Sequence, residues 1–120
     1  MIYNLPPVAK PRMTQRDKWK KRKVTDNYWT FCDMIKAYHV KFVSGDHVIF
    51  HIEMPASWSK KKKAKMVGTP HLQVPDTDNL VKALADAIYG SDSHIWDYRA
   101  TKRWSEIGCI EIITGGAWKP

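Results

Sequence analysis

At 120 residues the chain is long enough for one domain with a real core. Its 20 Lys and Arg against 12 Asp and Glu leave a formal charge of +8, which favours a polyanionic partner, nucleic acid or an anionic membrane surface. No apolar run is long enough to span a bilayer, which argues against an integral membrane protein, and the opening Met1-Ile-Tyr-Asn-Leu-Pro-Pro7 lacks the basic-then-apolar pattern of a secretory signal.

Ile2 to Leu5 reads as a short first strand stopped by Pro6-Pro7. The stretch from Val8 to Lys23 is basic and poor in core residues, and its Lys10, Arg12 and Arg16 are candidates for phosphate contact beside Trp19. Tyr28, Phe31, Cys32, Ile35, His39 and Phe42 then recur at steps of three and four, which predicts a helix from about Asp26 to Val43 with Ser44-Gly45 as its stop and His39 at the core edge. The two cysteines, Cys32 and Cys109, read as small hydrophobes and not as a disulfide or a zinc site.

His47 to Met54 alternates as a strand, with Val48, Phe50, Ile52 and Met54 on one face and Ile49, His51 and Glu53 on the other. Ser57 to Thr69 reads as a second basic loop carrying Lys60, Lys61, Lys62, Lys63 and Lys65, whose mutual repulsion resists packing and whose charge suits a clamp on DNA. Asp76 to Tyr89 reads as a second helix ended by Gly90, Ile95 to Trp104 as a strand, and Cys109 to Thr114 as its hairpin partner across Ser105–Gly108. The order strand, helix, strand, helix, strand, strand defines a single α+β domain, one small mixed sheet with two packed helices.

The chemistry concentrates in Pro75-Asp-Thr-Asp-Asn-Leu-Val-Lys82 and the stretch that follows to Asp92. Carboxylates set into a basic chain suit a hard divalent cation, because Mg²⁺ takes oxygen ligands and few of them from protein. Each also has a plain structural account. Asp76 can cap the helix, and Asp78 can pair with Lys82 four residues on for a few tenths of a kcal/mol. Pro75 brings the chain in extended, and in an extended chain side chains two apart point the same way, which aims Asp76 and Asp78 together. Asp92 stands beyond the far end of a helix roughly 20 Å long, so it reaches the other two only if the chain folds back or a second subunit supplies it.

These residues, continued by Ala85-Asp-Ala-Ile88 and Asp92-Ser-His-Ile95, resemble the RusA family of Holliday junction resolvases over the whole length of the chain. The family pattern is Asp-x-Asp-Asn-Leu-x-Lys, an Asp-Ala pair on the helix, then an acidic turn before an alternating strand. The resemblance implies a dimeric endodeoxyribonuclease of the bacterial cytoplasm, often phage-encoded. It would act on four-way DNA junctions with Mg²⁺, or Mn²⁺ in its place, and cut by paired symmetric nicks. It places the catalytic acids and metal ligands on Asp76, Asp78 and Asp92, the catalytic lysine on Lys82, and a DNA-contacting histidine on His71. Ser91 stands where many members carry a second acid, and Val74 where a basic residue is common. The rival readings are a branched-DNA-binding protein without catalysis and a less selective branch or flap nuclease.

Overall fold

The computed structural model describes residues 1–11 and 23–115, with the side chains at 23–25 and 92 outside that description. Its elements are β1 (Ile2–Tyr3), α1 (Lys23–Ala37), β2 (His47–Glu53), α2 (Lys60–Met66), α3 (Thr77–Tyr89), a 3-10 turn over Asp92–His94, β3 (Arg99–Ser105) and β4 (Cys109–Ile113). The α+β class and the single sheet agree with expectation. The helix count does not: among the described residues there are three α-helices, not two.

The third helix is α2, in the lysine-rich stretch expected to be a loop. Ser59 caps it by accepting a hydrogen bond from the Lys62 N–H at 3.1 Å. Lysine is a good helix former, and helical geometry turns successive ammonium groups about 100° apart around the axis. Lys62 also lays its Nζ 4.2 Å from the centre of the Trp58 ring. These terms outweigh the repulsion that argued for a loop.

α1 ends at Ala37, earlier than the apolar period suggested. The Val40 N–H bonds the Ile35 carbonyl and the His39 N–H bonds the Lys36 carbonyl, with His39 at φ 52. That is a Schellman stop with a left-handed residue, and it leaves His39 exposed instead of at the core edge. Val40 and Phe42 are buried from the segment beyond the helix, and their burial is what prolonged the apparent period.

The sheet order is β1-β4-β2-β3, with β2 parallel to β3 and antiparallel to β4. The expected β3–β4 hairpin is therefore absent, because β2 lies between them. Val48, Ile49 and Phe50 are each 5 % exposed or less, and a strand buried on both faces belongs in the middle of a sheet. Glu106–Gly108 crosses the end of β2, a step of about 10 Å that three residues can span. Gly108 suits that crossing, since a Cβ there would stand 3.1 Å from the Pro6 Cβ.

α1 and α3 pack on one face of the sheet, around Leu5, Phe31, Ile35, Phe42, Val48, Phe50, Leu80, Leu84 and Ile110. The other edge of β3 is covered by residues 68–75. The Gly68 N–H bonds the Trp104 carbonyl, the Trp104 N–H bonds the Thr69 carbonyl, and the His71 N–H bonds the Lys102 carbonyl. This strap protects an otherwise open strand edge and delivers the chain to the start of α3.

Candidate active site at the start of helix α3

Asp76 is the N-cap of α3, with φ −70 and ψ 152. Its carbonyl accepts the first helical bond, from the Leu80 N–H at 3.1 Å, yet its carboxylate makes no capping hydrogen bond. The plain structural use of this side chain is thus not taken up, and the carboxylate stands exposed. Asp78 is exposed too, and its Oδ1 accepts from the Asn79 N–H at 3.0 Å. The Asp78–Lys82 ion pair, the other structural account, does not form; Lys82 is exposed and without a salt-bridge partner among the described residues.

Asp78 and Lys82 share a depression of about 290 Å³ with Val81, Ala85, Ile95 and Tyr98. Ile95 and Tyr98 come from the chain after the 3-10 turn, so this segment does fold back along α3. Leu80, Ala83, Leu84 and Ala87 bury the opposite face of the helix, which fixes how Asp78 and Lys82 are turned outward. Gly90, left-handed at φ 77, ends α3, and Asp92 follows on the 3-10 turn packed against it. The Asp92 side chain lies outside the description. Among the described residues no three His, Cys, Asp or Glu side chains form a metal-holding group. The donor chemistry still fits Mg²⁺: two exposed carboxylates with free oxygens, the one or two protein ligands this ion usually takes.

The remaining candidates are scattered around this point. Arg12 and Arg16 fall outside the described residues. Lys60, Lys61, Lys62 and Lys65 are exposed on α2, with Lys63 half-buried. Lys10 is tied down: its ammonium pairs with Asp86, whose side chain is 8 % exposed, and its carbonyl accepts from Asn79 Nδ2 at 3.4 Å. Asn79 and Asp86, both in the motif, are two turns apart on α3 and hold the N-terminal arm from its backbone and its side chain. His71 is 2 % exposed, its ring 4.3 Å from that of Trp104 and its Nδ1 without a hydrogen-bond partner among the described residues. Burial, and then the Lys102 cation, push its pKa down, and the ring lies inward. Trp58 packs on Trp104 with ring centres 4.8 Å apart. Trp19 lies outside the described residues.

The residue that sequence reasoning passed over is Lys102. Its Nζ donates to the Gln73 and Pro75 carbonyls at 2.5 and 2.9 Å, inside the strap. A single lysine in an alternating strand carries no local signal of such a role.

A basic α+β domain that brings two exposed carboxylates and an exposed lysine to one helix start, with a lysine-rich helix on the same crossover, has the parts of a nucleic-acid-processing protein. Residues 4–113 match the family model of the endodeoxyribonuclease RusA, and the chain belongs to that family. No curated protein matches the chain closely enough to be called a relative.

Proposed function

We propose that the protein is a Mg²⁺-dependent endodeoxyribonuclease that resolves four-way DNA junctions by paired nicks. Family membership supports the nuclease class. The observation that carries the cation site is the Asp76 carboxylate, exposed at an N-cap and making no capping bond, beside an equally exposed Asp78. Such oxygen ligands hold a hard cation, with Asp92 as a third from the following turn. When bound, the cation supplies Lewis-acid stabilisation of the phosphate and a water of lowered pKa. Lys82 adds a positive charge at the same depression, placed to neutralise charge that builds on a phosphate oxygen. α2 supplies phosphate contacts that read shape and not sequence. Cleavage of a synthetic four-way junction in Mg²⁺, against EDTA and against fork and duplex competitors, tests this directly. Binding without cleavage would leave a junction-binding module, and equal cutting of all branches a less selective nuclease.

Lys82→Ala is expected to slow cleavage more than it weakens junction binding, because a charge at the scissile phosphate acts most in the transition state. Single-turnover rates at saturating protein, set against binding in EDTA, separate the two. A variant that loses only affinity makes Lys82 an ordinary phosphate anchor.

A junction presents two equivalent strands, and one acidic set cuts one of them. The proposed resolvase is therefore a two-fold homodimer, which matches the substrate's symmetry. Light scattering at micromolar protein without DNA should give twice the 13.9 kDa chain mass. A monomer there, together with single unpaired nicks as end products, would point to a simpler branch nuclease.

A further inference from the structure

We propose that Lys102 is a positioning residue for the acidic pair, holding the strap that sets where Asp76 stands. This rests on the reading of Asp76 and Asp78 as cation-holding carboxylates and extends it to a residue on the far side of the strap.

Lys102 grips the strap at three successive alternate residues. Its carbonyl accepts from the His71 N–H at 3.0 Å, and its ammonium donates to the carbonyls of Gln73 and Pro75. Pro75 is the residue immediately before Asp76. Lys102 is itself fixed, since it lies in the middle of β3, in register with Phe50 of the central strand. Leu72 and Val74 are 87 % and 82 % exposed and Gln73 is exposed too, so the 72–74 part of the strap gains little from burying its own side chains. What remains to hold it is hydrogen bonding, and the two carbonyls that flank Val74 are both taken by one ammonium. Charge-assisted bonds of this kind are the stronger class. No carboxylate among the described residues pairs with Lys102, so its cation is directed to the backbone alone. Asp76 has no capping bond of its own to fix it. The backbone entering it is therefore the part of the site most dependent on outside support, and Lys102 supplies that support.

The test compares wild type with Lys102→Met, which keeps the stem and removes the donors, and Lys102→Arg, which keeps charge and donors. Lys102→Gln replaces the methionine variant if circular dichroism shows that it does not fold. Three readings are taken without cleavage: amide exchange by peptide, Mn²⁺ binding by paramagnetic resonance, and junction binding in EDTA across a salt series. For Lys102→Met, exchange over residues 71–79 should speed at least about tenfold while β2 and α1 stay unchanged. Mn²⁺ binding should weaken about tenfold, the size seen when outer partners of ligands are removed. The salt slope of junction binding should hold, and Lys102→Arg should sit within about threefold of wild type on Mn²⁺ binding. Unchanged exchange, or faster exchange with unchanged Mn²⁺ binding, overturns the inference. So does a salt slope reduced by about one unit with Mn²⁺ binding intact, which would make Lys102 a phosphate contact. A wild type that binds no Mn²⁺ ends the cation reading and this inference with it, and that outcome is visible before any variant is compared.

Discussion

Asp78→Asn should lower the rate of junction cleavage by more than about 100-fold, beyond the range for losing an outer partner of a metal ligand. The substitution keeps the shape of the side chain and replaces one carboxylate oxygen by an amide that cannot serve a hard cation. Little else depends on this carboxylate. It is exposed, forms no ion pair with Lys82, and accepts one bond from the next residue's amide, which the remaining oxygen of Asn can also accept. The stability of the fold should therefore change by less than about 0.5 kcal/mol, the usual range for a surface substitution. Junction binding in EDTA should hold or tighten, since a negative charge facing phosphate is gone. Cleavage measured under single turnover, with binding and thermal unfolding on the same preparation, separates these effects. Wild-type cleavage by the variant would remove Asp78 from the ligand set.

The region around this residue was legible in the sequence because its signals are local. Pro75, an Asp at the cap, an apolar stripe at helical spacing and Gly90 lie within sixteen residues, and α3 runs Thr77–Tyr89 as they require. Lysine repulsion suggested a loop where α2 stands because the compensations, the Ser59 cap and the Trp58 ring under Lys62, are geometric and weigh little in composition. A short turn between two strands suggested a hairpin. Deciding otherwise required knowing that β2 is buried on both faces and takes the central place. The resemblance put a DNA-contacting histidine at His71, whereas the structure buries its ring against Trp104 in the strap. Lys102 was illegible for the same reason. Its partners are carbonyls 27 and 29 residues away, and backbone oxygens carry no residue identity.

Replacing Lys60, Lys61, Lys62 and Lys63 together by alanine should flatten the salt dependence of junction binding by about two units of slope, not four. Around a helix of seven residues four consecutive side chains point in four directions, so they cannot all face one DNA backbone. Lys62 is drawn over the Trp58 ring and Lys63 is half-buried. Lys60 and Lys61 are exposed and make no ion pair among the described residues, which leaves them, with Lys65, open to phosphate. Removing two phosphate-binding lysines, at about 0.9 units of slope each, amounts to roughly 50-fold weaker binding at about 0.1 M salt if the lines meet near 1 M. Alanine preserves helix propensity, so α2 should persist. The paired double variants sharpen the point. Lys60→Ala with Lys61→Ala should reproduce most of the fall in slope. Lys62→Ala with Lys63→Ala should instead cost about 0.5–1 kcal/mol of stability through the cation–π contact, with a smaller change in slope. Binding isotherms from 50 to 300 mM salt, about the range over which such slopes are read, would distinguish the pairs. A quadruple variant whose slope equals that of wild type would return α2 to a solubilising surface and leave the affinity for DNA to other basic residues.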